Sequence, residues 1–553
     1  MKRPSEIAFF KQNIAMEIAS EKCVFLTKCR RKSNIANRYT SCIYTMNRTI
    51  LALLVLFFAA SSPAQSVDEE SQRLTAMKGP LQTERLPQPV YAENPDFVDL
   101  YWKAWQLAWD RVRYQNGVFQ SPYMDENLWD DTIWIWDTEF MVLFCRYAPD
   151  IFPGIQSLEN FYESILNGKP SALRIQHPDN PPFYSWVEYE YYKMTGDRAR
   201  IEKVLVKDRF LQRHYDWFDS LRRGTQLHFK HAPIMLEKSP TGLGYRWGNI
   251  QSGMDNTPRA DGGRELLWMD ALAQQALSAL YIERLARELG DKATAREFHK
   301  RYVANKELLN KWYWDSEDGF YYDLNEADSS QVKVRTPAVY WAMLAEVPGR
   351  QQAARLAAYA SDSTEFGGSY PWPTVSRSDT TFDARYGDYW RGAIWLPTAY
   401  MSTKALETYG YHDLAHRNAV NLLTQMSETY KNFEPHTIWE CYSPTVDEPS
   451  YHVRPGELEC VRPDFCGWSA LGPISIFIEN VIGFYNIDAN RRLVEWNRNT
   501  EAECGIRNLH FGNITTDIIA EGHTLRVKSN APYTLRINGK NYKIKAGDTQ
   551  RSI

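Results

Sequence analysis

Residues 265–289, ELLWMDALAQQALSALYIERLAREL, decide the fold class. Leu266, Met269, Leu272, Ala273, Ala276, Leu277, Leu280 and Tyr281 recur at helical spacing and form one apolar face, and Gly290-Asp291 ends the run. The same grammar extends to both sides. Residues 94–115 open on an asparagine cap with Pro95 in first position, carry Phe97, Leu100, Trp102, Trp105, Leu107 and Ala108 on one stripe, and stop at Asn116-Gly117. Further helices are predicted over 182–195, 293–311, 336–345, 350–360, 396–408, 414–426 and 473–484. Strand-like alternation is scarce from about 85 to 485, and no residue pattern returns at a fixed period, which disfavours an open solenoid. Such a run of paired helices forms one domain if the pairs curve into a closed toroid.

The tail differs. Leu525-Arg526-Val527-Lys528 and Tyr533-Thr534-Leu535-Arg536-Ile537 alternate apolar and polar residues, and Asn538-Gly539 leads into Tyr542-Lys543-Ile544. That is a hairpin signal, and residues 491–553 are expected to form a small β module. At the other end, residues 1–45 are polar and basic, with Lys28, Arg30, Arg31, Lys32 and Arg38. Met46-Asn47-Arg48, the apolar run 50–60 and Ser61-Ser62-Pro63-Ala64 then follow in the order of a secretory signal peptide. The run is too short for a bilayer, which needs about 20 apolar residues. The expectation is a start at Met46, a non-native upstream extension over 1–45 and a signal over 46–64. Residues 65–94 are then a linker, 95–490 the catalytic domain, and the product a periplasmic or extracellular protein. A signal anchor with a cytoplasmic tail is the alternative. No integral membrane segment is expected after position 64. Five cysteines follow it (Cys145, Cys441, Cys460, Cys466 and Cys504), and both one disulfide among Cys441, Cys460 and Cys466 and buried thiols stay open.

The 553 residues hold 64 basic and 68 acidic side chains, net charge −4, with no electrostatic reason to expect nucleic acid as a partner. Aromatic residues, 19 Trp, 33 Tyr and 24 Phe, make up 14% of the chain, which fits either a large aromatic core or a site that stacks rings. The phosphate loop, the dinucleotide glycine motif, His-Glu-x-x-His and Gly-x-Ser-x-Gly are all absent from the sequence, so no metal or cofactor is implied.

What remains is carboxylates set among Trp, Gly and Arg in loops. Four stretches stand out: Ser252-Gly253-Met254-Asp255-Asn256-Thr257-Pro258-Arg259, Trp439-Glu440-Cys441-Tyr442-Ser443-Pro444, Tyr389-Trp390-Arg391-Gly392-Ala393-Ile394-Trp395, and Trp134-Ile135-Trp136-Asp137-Thr138. Singly, each reads as a cap, an ion pair or packing. Together they suit glycosidic bond cleavage, which needs one protonated and one ionised carboxyl on opposite sides of the bond. Aromatic walls raise the acid's proton affinity and stack sugar rings, and Arg391 is the expected partner for sugar hydroxyls and for the second carboxylate.

At these residues the sequence resembles the inverting glycosidases with an (α/α)6 toroid: glycoside hydrolase family 63, its mannosylglycerate-hydrolase-like branch, and the family 37 trehalases. The resemblance covers roughly residues 95–485. The 252–259 stretch is similar to the family's Ser-Gly-x-Asp-Asn-Ser-Pro-Arg, whose Asp is the general acid, which implies that role for Asp255. The 439–444 stretch resembles the Glu-x-Tyr-x-Pro segment of the general base, implying Glu440. Trp136, Asp137, Trp390, Arg391, Trp395, Trp439 and Trp468 are implied to bind a carbohydrate substrate, Trp468 through a Gly-Trp-Ser element at 467–469. Trp268-x-Asp270 also fits. Ala393 replaces a usual Pro, Cys441 replaces an Asn or Tyr, and the trehalase Trp-Asp-Phe-Ser run is missing, which counts against trehalose as substrate. The resemblance implies an exported hydrolase of α-linked glycosides acting with inversion. A sugar epimerase or isomerase, a polysaccharide lyase and a non-catalytic glycan-binding protein are the alternatives.

Overall fold

Twelve helices carry the part of the fold that positions the site, seen in a computed structural model that describes residues 73, 75–126, 131–228 and 233–553. The proposed extension, the signal peptide and His231 lie outside the described residues. The helices are α1 (Asp96–Asp110), α2 (Ile135–Cys145), α3 (Glu159–Asn167), α4 (Tyr184–Thr195), α5 (Phe210–Ser220) and α6 (Met269–Leu289). They continue with α7 (Lys292–Leu308), α8 (Val339–Leu344), α9 (Arg350–Ser361), α10 (Leu396–Thr408), α11 (His412–Asn432) and the π-wound α12 (Gly472–Ile482).

Local chemistry sets the ends. Gly290 closes α6 in the left-handed region (φ 78), and Asp291 caps α7 by accepting from the Ala293 and Thr294 amides, so one dipeptide turns the chain between two helices. Helix α6 starts at Met269 rather than 265, because Leu266–Leu267 pairs as a short strand with Leu324–Asn325. Helix α1 stops at Asp110 rather than 115, since Val112–Arg113 pairs with Tyr123–Met124. Three helices escape the periodicity reading: α2, α3 and α5. The reason is plainest for α2, where all eleven residues are buried and no polar face exists to mark the period.

The even-numbered helices form the inside of the fold. α2 packs on α4, α4 on α6, α6 on α8, and α8 on α10; α12 touches both α10 and α2. The odd-numbered α7 and α11 cover α6 and α10 from outside. Among the described residues no helix is long and apolar enough to cross a membrane.

Two sheets follow α12. Strand β1 (Gln88–Tyr91) joins the outer edge of a five-stranded sheet; a hairpin β2 (Tyr451–Arg454) and β3 (Glu457–Cys460) stands apart in the helical region. The later strands are β4 (Asn486–Asp488), β5 (Leu493–Trp496), β6 (Cys504–Phe511), β7 (Ile514–Glu521), β8 (Thr524–Ser529), β9 (Tyr533–Ile537), β10 (Lys540–Ile544) and β11 (Gly547–Ser552). Sheet orders are β1-β6-β7-β8-β11 and β4-β5-β9-β10. Asn538 (φ 46) and Gly539 (φ 82) form the two-residue turn between β9 and β10, with Ile537 opposite Lys540, as the sequence predicts. The segment read as a linker thus contains a strand: Gln88–Tyr91 pairs with Arg507–Cys504, and Pro89 is tolerated because β1 is an edge. All five cysteines after position 64 are free thiols.

Candidate active site

Asp255 sits in a loop pinned from three directions. Behind it, Arg259 reaches Asp270 through Nη1 (2.6 Å) and Nη2 (2.9 Å) and Asp323 through Nε (2.7 Å) and Nη2 (2.6 Å), with its guanidinium over the Trp268 ring. Ahead of it, Gly253 (φ +86) lies under Trp136, where a Cβ would fall 2.4 Å from the indole. Only glycine meets both the backbone angle and that approach. Beside it, the Asn256 amide accepts from the Trp390 N–H (2.7 Å) and donates to the Asp388 carbonyl (2.9 Å).

Asp388 and Tyr389 both have positive φ (27 and 62), unfavourable for side chains of this bulk. Asn256 holds this dipeptide from one side. The β2 hairpin holds it from the other, Tyr389 N–H donating to the Tyr451 carbonyl (3.0 Å) and Val453 N–H to Asp388 Oδ1 (3.0 Å). The Tyr389 ring stacks on His452 at 4.7 Å, and its hydroxyl donates to Glu440 Oε1 (3.1 Å). Glu440 is carried on a neighbouring segment, stitched to the same loop by reciprocal Ile394 and Tyr442 backbone bonds of 2.8 and 3.0 Å. The residue is 2% exposed, and its carboxylate is gripped by Arg462, through Nε (3.2 Å) and Nη2 and also the backbone N–H (3.3 Å). A guanidinium fork and a phenol thus fix the orientation of this carboxyl through charge-assisted hydrogen bonds.

These groups meet at a cavity of about 330 Å³. Its aromatic floor is a cluster of four indoles: Trp390 and Trp395 stack at 4.1 Å, and Trp136 and Trp468 close the group at 5.4 Å. Asp137, Glu126, Asp255, Asn180 and Arg462 supply polar lining. The lining comes from the N-terminal ends of even-numbered helices: Trp136 and Asp137 open α2, Asn180 precedes α4, Trp395 caps α10, and Trp468 precedes α12. Burial, reinforced by the negative charge of Glu440, pushes Asp255 up to about 7. Burial and the neighbouring Glu126 and Asp255 also raise Asp137 well above the ordinary carboxyl range. Asp137 Oδ2, Asn180 Oδ1 and Trp468 Nε1 are buried without a hydrogen-bond partner among the described residues. A larger cavity of about 600 Å³ opens near Tyr191 and His510, but neither Asp255 nor Glu440 borders it.

Trp136, Asp137, Asp255, Trp390, Trp395 and Trp468 therefore line one cavity, and Glu440 lies behind its Tyr389 and Arg462 walls. Two expectations are corrected. Arg391 turns away, forking onto Asp261 (2.5 and 3.2 Å) and reaching the Asn256 carbonyl, so the cation on the second carboxylate is Arg462. Trp439 packs edge-on to Phe433 at 5.5 Å and does not line the cavity. Sequence reasoning gave no binding role to Glu126, Gln176, His177, Asn180 or Arg462. Arg462 carries no motif, being brought in by the β3 strand; Tyr123-Met124-Asp125-Glu126, just upstream of Trp136-Asp137, was the one available pointer to Glu126.

Comparison with known proteins fits this geometry. The mannosylglycerate hydrolase MGH1-like glycoside hydrolase domain matches residues 163–456. An uncharacterised protein of Borreliella burgdorferi is 26% identical over 82% of this chain and 95% of its own. The cytosolic neutral trehalase of Kluyveromyces lactis is 26% identical over 32% of this chain, and the chain spans about a quarter of that enzyme's length (24%). The structure of the family 63 mannosylglycerate hydrolase from Thermus thermophilus in complex with glucose aligns at TM-score 0.53 and 17% identity, over 68% of this chain and 99% of that one. With its family match spanning more than half of the sequence, the chain belongs to the MGH1-like glycoside hydrolases and is an O-glycosyl hydrolase.

Proposed function

We propose that this protein cleaves an α-linked glycosidic bond by single displacement with inversion, Asp255 acting as general acid and Glu440 as general base. The observation that carries the proposal is the contrast between two carboxyls, Asp255 lining the indole-walled cavity and Glu440 directly behind its Tyr389 and Arg462 walls. Among the described residues no cation bonds Asp255, which holds its proton near neutrality, while Glu440 is clamped by Arg462 and Tyr389. Asp255 protonates the departing glycosidic oxygen; Glu440 takes a proton from a water on the far face of the ring. Inversion calls for carboxyls roughly 6.5–9.5 Å apart, room for that water. Trp136, Trp390, Trp395 and Trp468 stack the ring, and the unpartnered Asp137, Asn180 and Trp468 atoms take its hydroxyls.

The circuit of packing through the even-numbered helices supports an (α/α)6 toroid as the scaffold, with the cavity at the helix N-termini. A lyase reading needs a cation free for a uronate carboxylate, and Arg462 is committed to Glu440. An epimerase reading needs a histidine pair; among the described residues only His177 lines the cavity. Export follows from the signal reading of 46–64, and N-terminal sequencing of the secreted protein checks it: a chain beginning at Gln65 supports the reading, and one retaining residues 1–45 refutes it. The activity itself is tested by assaying wild type, Asp255→Asn and Glu440→Gln against aryl α-glycosides and α-linked disaccharides. Turnover by wild type with loss in both variants is expected; wild-type turnover in either variant removes that residue from its role.

A further inference from the structure

Glu126 is a carboxyl that the acid–base pair leaves unused. It is 5% exposed and lines the same cavity as Asp137, Asp255 and Arg462. It is also built in. Its side chain lies against Gly467, where a Cβ would come 2.6 Å from Glu126 Cγ, so the segment that supplies Trp468 to the floor also seats Glu126.

We propose that Glu126 is a sugar-contact residue which, with Asp137, forms a two-carboxyl clamp for neighbouring ring hydroxyls of the sugar that the glycosidase site holds. The inference rests on the reading of that site as a glycosidase and adds what decides which pyranose it accepts.

Three observations carry it. First, the partnerless buried atoms at the cavity are of both kinds. Asp137 Oδ2 and Asn180 Oδ1 need donors, while Trp468 Nε1 needs an acceptor. Hydroxyl groups satisfy both, and an apolar occupant satisfies neither. Second, Glu126 and Asp137 are buried at the same cavity, and the one arginine or lysine bordering it among the described residues, Arg462, already bonds Glu440. Burial pushes Glu126 up to about 8, and burial with the neighbouring Glu126 raises Asp137 well above the ordinary carboxyl range, so the pair offers acid O–H donors beside carbonyl-type acceptor oxygens near neutrality. A set of donors and acceptors of this kind matches two vicinal hydroxyls, each of which both donates and accepts. Third, Asp137 stands in the first turn of α2 and Glu126 packs against Gly467, so both carboxyls enter the cavity from segments that also carry its floor residues Trp136 and Trp468.

The test is kinetic, with wild type, Glu126→Ala and Glu126→Gln on an aryl α-D-glucoside and α-D-mannoside and on their monodeoxy analogues. On wild type, removing the recognised hydroxyl is expected to lower kcat/KM by about 10- to 100-fold. In Glu126→Ala the parent falls by a similar factor, mostly through KM, and the penalty for that deoxy position shrinks toward 1. Glu126→Gln keeps a donor and an acceptor and retains most of the discrimination. If every deoxy penalty is the same in Glu126→Ala as in wild type, Glu126 does not touch the sugar and the proposal is wrong. Should Glu126→Ala fail to fold, Glu126→Asp withdraws the carboxyl by one methylene and is judged by the same criterion. Failure of wild type to turn over any parent glycoside overturns the glycosidase reading itself, a result distinct from an unchanged deoxy pattern.

Discussion

The molecule holds two arginine–carboxylate clusters on either side of the Asp255 loop, and they are built for opposite ends. Around Arg259, 2% exposed, two aspartates take up the guanidinium from both sides, and Asp323 Oδ1 also accepts the Met269 N–H that starts α6 (2.8 Å). Four of its five N–H groups are engaged by these two aspartates. Around Arg462 the guanidinium bonds a single carboxylate, its side chain is 42% exposed, and it borders the cavity. The first cluster fastens the Asp255 loop to the helix behind it; the second leaves a charged, partly open edge at the cavity. Salt bridges of the same composition thus differ in function by what their remaining atoms face.

This difference sets the order of expected effects. Glu440→Gln and Asp255→Asn are expected to lower turnover by about 10²–10⁴-fold while the circular dichroism spectrum and a cooperative thermal transition are retained. Exchanging the arginines separates the clusters. Arg259→Leu strands two buried aspartates and is expected to cost about 3–5 kcal/mol in urea unfolding. Arg462→Leu is expected to lower kcat with a smaller loss of stability; the reverse pattern breaks the comparison. The pH dependence follows from Asp255. With its proton held up to about 7, kcat/KM should fall as pH rises through that value, because the acid is lost. A carboxyl raised in the folded state contributes stability that is full below its unfolded pKa, about 3.9, and disappears as pH climbs through 7. Asp255→Asn should therefore gain on wild type in thermal midpoint between pH 4 and pH 8, and a constant difference across that range contradicts the assignment. The smallest effect compares two glycines. Gly253→Ala meets Trp136 as well as a positive φ, whereas Gly262→Ala, at φ +83 with nothing within 4 Å, bears only the backbone cost, about 1 kcal/mol. Gly253→Ala should cost more and also lower activity.

Legibility in the sequence followed the same physical lines. Helices with an exposed polar face, such as α9 and α11, announced themselves by period, whereas α2, buried all round, did not. The hairpin at Asn538-Gly539 was readable because the turn needs two positive φ values that few residue pairs accept. Asp255, Trp390 and Trp468 were legible because each sits in a short run whose glycine, proline or tryptophan neighbours exclude plain helix; Trp136 and Asp137, read as loop residues, stand instead in the first turn of α2. Arg462 was not. Its role depends on a hairpin that returns the chain to Glu440, 22 positions away, and nothing in the sequence around it says which carboxylate it meets. Arg391 erred for the complementary reason: adjacency to Trp390 in sequence places its backbone at the site, but its side chain finds Asp261. The strand Gln88–Tyr91 was hidden by Pro89, since only an edge position lets proline serve in a sheet.

The stereochemistry of the first product formed tests the central claim most directly. Proton NMR during the opening minutes of hydrolysis of an α-glycoside should show the β-anomer appearing first, with the α-anomer following only by mutarotation, if Asp255 and Glu440 act from opposite faces in one displacement as proposed. First appearance of the α-anomer would mean a covalent, retaining route and would contradict the roles given to both carboxyls.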